Sequence, residues 1–266
     1  MRLYCGIDLH SSNSFVVIID ENDKVVFRQR LPNDLAGILA ALEPYCDQLV
    51  GVVVESTFNW YWLVDGLQAA GFEVHLANTA AIEQYSGLKY ADDSTDARWL
   101  AHMLRLGVLP TGYIYPREQR ALRDLLRKRI SLVQLRTSTK LSLQNLSQRN
   151  LGCRFSSSEL NSLDTQGIQD RLEDDNLVLA MDSTLQVVAC LDQEIQRLER
   201  EILRQARPHP AFSPLKSVCG IGKILAQTIL LETGEISRFP SVGNYASYCR
   251  CVGSKRLTNQ KLKGKG

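Results

Sequence analysis

Residues 3–29, LYCGIDLHSSNSFVVIIDENDKVVFRQ, decide how the first half of this 266-residue chain folds. The apolar run at 3–8 predicts a strand, 14–19 a second, and Glu21-Asn22-Asp23 a turn into a third at 24–29. Short apolar runs bounded by Asn, Asp and Ser clusters read as a strand meander. Outward from there, Asn33 or Asp34 caps a helix whose Leu35, Ile38, Leu39 and Leu42 share one face. The run VGVVV at 50–54 has the unbroken apolar character of a strand covered on both faces. A helix at 59–70, a strand at 72–76, a short helix near 80–85 and a helix from about Asp93 complete the region.

The order β-β-β-α-β-α-β-α is that of the ribonuclease H-like (RuvC-like) α/β fold. In it the first strand lies mid-sheet and the fourth pairs beside it in parallel. Asp8 and Glu55 then both end strands on the edge where open α/β sheets place their sites, and become neighbours. Asp93 and Asp96, three apart at a helix start, project from one face. Each acid alone could be no more than a helix cap. Four together would repel one another, and a hard divalent cation, Mg²⁺ or Mn²⁺, is the natural counter-charge. Two such ions about 4 Å apart would activate a nucleophile and stabilise the leaving oxygen at a phosphodiester.

Composition narrows the class. With 44% hydrophobic residues the chain is globular, and its apolar runs are far short of the roughly 20 residues that span a bilayer. The start, Met1-Arg2-Leu3-Tyr4, lacks a signal-peptide layout, and the seven cysteines include no CxxC pair, so a reducing cytoplasm is expected. Cys219, Cys249 and Cys251 could be imagined as a metal cluster; buried free thiols are the simpler reading. The net charge of +2 conceals an asymmetry: residues 1–116 carry −7 and residues 117–266 carry +9. Nine basic residues stand at 117–149 and six in the last 17, which suits a polyanion, although a solvated helix face would look the same.

Three blocks, Gly6-Ile7-Asp8-Leu9-His10, Val54-Glu55-Ser56-Thr57-Phe58-Asn59-Trp60-Tyr61 and Asp93-Ser94-Thr95-Asp96-Ala97-Arg98, resemble the acidic motifs of the DEDD transposases of the insertion-sequence 110 family, relatives of the Piv DNA invertases. Downstream, 215–222, 234–239 and 245–248 resemble that family's second conserved domain. The resemblance implies a RuvC-like nuclease domain at 1–116, a spacer with a dimerisation helix at 117–207, and a C-terminal transposase domain at 208–266 that supplies a nucleophilic serine. It further implies donor and target DNA as substrates, a structured bridge RNA as guide, and action in the prokaryotic cytoplasm at the nucleoid.

The spacer carries Val188, Leu191, Ile195, Leu198 and Ile202 at alternating three- and four-residue steps. That is either a coiled-coil seam, joining copies into a dimer or tetramer, or a core-facing amphipathic helix. The polar stretch 156–175 reads as the loop before it. Gly220-Ile221-Gly222 before an apolar helix resembles the turn of a helix-hairpin-helix, which holds a phosphate on backbone N–H groups. Gly220 and Gly222, the tail residues Arg250, Lys255, Arg256, Lys261, Lys263 and Lys265, and the helical Arg120, Arg123, Arg127 and Lys128 are the candidate nucleic-acid contacts.

One departure matters. Aligning through Gly253 and 261–266 places Thr258-Asn259 where the family has its serine and a small residue. Threonine can be a nucleophile, but its β-methyl crowds in-line attack; Ser254 serves only if the loop is re-registered. Family members also continue beyond 266, so the chain reads as C-terminally incomplete or as a repurposed copy. The alternatives are a catalytically inactive nucleic-acid-binding derivative and, from Gly6–Ser14, an actin- or Hsp70-like ATPase, which would need a second phosphate loop and an adenosine glycine pair that the sequence lacks.

Overall fold

The computed structural model describes residues 1–82, 93–206, 209–253, 255–258 and 261–265, the last two stretches as backbone. It forms two compact units, Met1–Arg117 and Glu118–Gly266.

The first unit is built on strands β1 Leu3–Leu9, β2 Asn13–Asp20, β3 Val25–Pro32, β4 Leu49–Glu55, β5 Val74–Ala77 and β6 Thr111–Gly112, in sheet order β3-β2-β1-β4-β5-β6. β1 runs antiparallel to β2 and parallel to β4. The central position and parallel partner expected of the first strand are both present, and the mixed α/β architecture is consistent with a ribonuclease H-like domain. β6 is an addition with no signal in sequence, because two residues, Thr111 and Gly112, carry no periodicity. A 3₁₀ turn at Thr79–Ala81 stands at the start of the short helix expected near 80–85; residues 83–85 lie outside the described residues.

Side-chain alternation along β1 sorts the two faces of the sheet. Leu3, Cys5, Ile7 and Leu9 join the core beneath helices α1 Leu35–Leu42 and α2 Tyr61–Ala69. Tyr4, Gly6 and Asp8 point to the other face, where helix α3, Asp93–Leu106, lays Ala97 and Ala101 against Tyr4, Val17 and Ile19. Gly6 makes that approach possible: a Cβ there would stand 2.0 Å from the Ala97 carbonyl oxygen and 2.8 Å from the Ala101 nitrogen. The α1 cap is Asp34, which accepts from the Gly37 N–H at 2.7 Å.

The second unit is helical: α4 Arg117–Leu151, α5 Ser157–Ser162, α6 Thr165–Gln169, α7 Asp175–Gln205, α8 Phe212–Ser217, α9 Lys223–Thr233 and α10 Val242–Tyr248, ending in a hairpin of β7 Lys255–Thr258 and β8 Lys261–Lys265. α4 and α7 lie antiparallel, tied by Arg129 Nε to Glu199 Oε1 (2.9 Å) and Arg136 Nη1 to Asp192 Oδ1 (2.5 Å). The heptad-like stripe of α7 is buried within its own chain: Val188, Leu191, Ile195 and Ile202 are all under a tenth exposed. It is a core-facing helix, and Ile202 packs with Leu126 of α4 and Leu231 of α9.

Two expectations need correction. The stretch 156–175 is not a plain loop. Ser156 and Glu159 form a capping box and Asp164 caps α6, while Leu160, Ile168 and Leu172 reach a core with Leu143, Met181 and Leu185. Polar residues that look loop-like in sequence are acting here as caps. The cysteines are free thiols, but only Cys5 is buried; the other six are exposed.

Candidate metal centre

The parallel β1–β4 register sets Ile7 opposite Val54, so Asp8 and Glu55 leave the sheet edge side by side. Asp8 is 3% exposed, on the face that α3 covers. The first turn of α3 carries Asp93 and Asp96, where helix N–H groups favour negative charge. Gly6 therefore controls how closely two of the four carboxylates descend on the other two.

Two overlapping groups result, and Asp8 belongs to both. In one, His10 Nε2 lies 3.1 Å from Asp8 Oδ2 and 3.3 Å from Asp93 Oδ2. Ligand atoms of the three residues all fall within 4.8 Å of one another. His10 Nε2 is itself buried without an aligned hydrogen bond, as expected of an atom whose neighbours are arranged for coordination. In the other, burial, a hydrogen bond to Asp8 and the charges of Asp8 and Asp96 push the Glu55 carboxyl up to about 8. A carboxyl held protonated into the neutral range, first by burial and then by two acidic neighbours, is one whose ionised form a divalent cation would favour. The donor set, carboxylate oxygens with one imidazole, fits a Mg²⁺- or Mn²⁺-type ion.

The loops around the cluster are pinned to it. The His10 carbonyl accepts from Asn33 Nδ2 (2.9 Å) and Asn59 Nδ2 (3.0 Å). Asn33 Oδ1 in turn accepts from the Ser14 hydroxyl (2.7 Å), and Asn59 Oδ1 from the Thr57 hydroxyl (2.9 Å). Neither asparagine was legible as a site residue. Their contacts span 23 and 49 residues, so no local pattern signals them. His10, which in sequence is only the last residue of the first acidic block, stands between two acids.

A transposase family model, that of the DEDD transposases of the IS110 family, matches residues 5–149, and the model for the transposase IS116/IS110/IS902 family matches residues 213–265. The chain belongs to the IS110 family of transposases. No curated protein matches it. Membership of this family implies DNA strand transfer, in transposition and recombination, with divalent metal ions. Among the described residues of the transposase, no helix is long and apolar enough to cross a membrane.

The other candidate residues of the transposase fall in the second unit. Arg120 and Arg123 do not form the open basic face expected of them: they are 5% and 6% exposed. Arg123 Nε donates to Glu232 Oε2 at 3.0 Å, and Arg127 grips the same carboxylate through Nε (2.6 Å) and Nη2 (2.9 Å). The period that lines arginines on one helix face also aims them at the acid of a packed neighbour, and sequence does not separate the two. Lys128 is exposed. Gly220 has φ +87° and Gly222 stands at the N-cap of α9 with no side-chain bond, so a glycine turn joins α8 to α9. Thr258 ends β7 opposite Lys261; Ser254 lies outside the described residues.

Proposed function

We propose that this chain is an RNA-guided DNA recombinase in which Asp8, Glu55, Asp93 and Asp96 hold Mg²⁺ or Mn²⁺ and the C-terminal domain supplies the nucleophilic hydroxyl. The observation that carries this reading is the membership of Asp8 in two carboxylate groups, which suits a residue shared between two ions. When bound, the metal supplies Lewis-acid stabilisation of charge on the phosphodiester oxygens. The chain's own residues arrange the rest. Asn33 and Asn59 fix the His10 carbonyl, and with it the direction from which Asp8 and His10 face the substrate.

In this reading the Thr258 hydroxyl attacks phosphorus, its proton passes to a neighbouring base, and the P–O bond to the departing deoxyribose breaks with protonation of that oxygen. Reversal by a second DNA end rejoins the strands. Ser254 is the substitute nucleophile. Lys128, Gly220, Gly222, Lys255, Arg256, Lys261 and Lys263 would hold phosphates of DNA or of the structured bridge RNA. Paired sites on a dimer or tetramer would exchange the strands, in the cytoplasm at the nucleoid. The domain division proposed is nuclease, spacer and C-terminal transposase modules, at 1–116, 117–207 and 208–266.

The threonine in place of serine favours one second reading, a binding protein that retains the metal cluster but does not form the covalent intermediate. Incubation with Mg²⁺ and DNA bearing an IS110-type end, followed by denaturation, separates the two. The recombinase yields a protein–DNA adduct that Thr258→Ala and Asp8→Asn both abolish. An adduct that persists in Thr258→Ala and vanishes in Ser254→Ala moves the nucleophile. DNA binding with no adduct and no Mg²⁺-dependent cleavage establishes the binding protein.

A further inference from the structure

Phe58 is 85% exposed, three residues beyond Glu55. Its neighbours are fixed in place. The Thr57 N–H donates to the Glu55 carbonyl at 2.9 Å, the Thr57 hydroxyl to Asn59 Oδ1 at 2.9 Å, and Asn59 Nδ2 to the His10 carbonyl at 3.0 Å. Trp60, two residues on, is buried in the sheet core. The loop is thus braced to both carboxylate strands while the phenyl ring between its anchors stands in water. A ring so exposed contributes nothing to folding by burial.

We propose that Phe58 is a stacking platform for an unpaired nucleobase beside the phosphate held at the carboxylate cluster. The inference rests on the reading of that cluster as a metal site for a phosphodiester, and it adds a substrate feature. A nucleic acid lying across the cluster offers charged phosphates, solvated sugars and apolar base faces, and only the last match a phenyl surface. Bases inside a duplex have both faces covered, so the base that stacks on Phe58 is splayed from its partner. The chain therefore favours DNA that is locally unpaired at the cleavage point. A rigid loop suits this role, since little conformational freedom is lost on binding.

The test is binding, independent of cleavage, in Ca²⁺ buffer. The probe is a mixed-sequence single-stranded oligonucleotide carrying 2-aminopurine, with a matched oligomer containing an abasic run as control. The wild-type chain is expected to quench 2-aminopurine. Phe58→Ala should lose the quench and bind roughly 10-fold more weakly, Phe58→Trp and Phe58→Tyr should restore both, and the abasic oligomer should not distinguish the variants. Unchanged affinity in Phe58→Ala, or an equal loss on the abasic oligomer, overturns the proposal. So does a sedimentation shift to smaller species with DNA binding intact, which would make Phe58 a contact with a second copy. Mg²⁺-dependent cleavage measured in parallel keeps the two readings apart. A lost quench without wild-type cleavage leaves stacking standing and removes the recombinase. Cleavage with a neutral Phe58→Ala does the reverse.

Discussion

The raised carboxyl of Glu55 makes a stability prediction of unusual sign. In the unfolded chain Glu55 titrates near 4.5; in the folded chain burial, the bond to Asp8 and the charges of Asp8 and Asp96 push it up to about 8. Between those values the unfolded state releases a proton that the folded state keeps. The metal-free fold is therefore destabilised progressively as pH rises from about 4.5 to about 8. At pH 7 the difference of 2.5 units sets a ceiling of roughly 3 kcal/mol. Glu55 is only half-buried, so solvent screening brings this down to about 1–2 kcal/mol. Glu55→Gln mimics the protonated side chain, since its amide can donate to Asp8, and removes the titration. In EDTA at pH 7 the variant should be more stable than the wild type by that amount, with the gap closing near pH 4.5. With Mg²⁺ present the gap should shrink or invert, because ligand bound to the native state stabilises only a chain that can hold it. The assay is urea unfolding followed by tryptophan fluorescence, which reports the first unit alone because Trp60, Trp62 and Trp99 all lie in it. A less stable variant in EDTA at pH 7, or a gap that does not change with pH, refutes the reasoning.

The packing of α3 and the ion pairs of the second unit give two further tests. Gly6→Ala forces a methyl against the Ala97 and Ala101 backbone, which no side-chain rotation relieves. It should cost about 1–3 kcal/mol by overpacking, and calorimetric titration with Mn²⁺ should show lost affinity as Asp93 and Asp96 lift away; undiminished metal binding would contradict the packing argument. At Glu232, burial alone would raise the carboxyl, but the Arg127 hydrogen bond and the charges of Arg123 and Arg127 outweigh it and hold it below 4.5. Its contribution is then fully present above pH 4.5 and lost as pH falls through the lowered value. Glu232→Gln, which removes the negative charge that Arg123 and Arg127 share, should cost about 1–2 kcal/mol at neutral pH and flatten the acid limb of unfolding followed by helical circular dichroism. A steep acid limb in the variant would assign it to other carboxylates.

Where local pattern coincides with physical cause, the sequence was readable. Strand alternation around Asp8, the VGVVV run before Glu55 and the three-residue spacing of Asp93 and Asp96 are short-range features, and each produced its element and its carboxylate. The resemblance blocks lay on those same elements. Pattern became ambiguous where a single periodicity serves two environments. Arg123 and Arg127 share a face whether the face meets solvent or Glu232, and the α7 stripe is equally regular whether it meets a second chain or α4. Serine and aspartate at 156–175 prefer loops and helix caps alike.

By itself, then, the sequence determined the order of strands and α-helices from β1 to α3 and the four carboxylates that the fold brings together, because hydrophobic period and strand-end position are properties of neighbouring residues. Only the tertiary structure decided which side chains complete the centre. His10 comes between Asp8 and Asp93, Asn33 and Asn59 close on one carbonyl from 23 and 49 residues away, and Gly6 admits α3 by lacking a side chain. These depend on contacts between segments far apart in the chain, whose distances are set by how the sheet and helix pack.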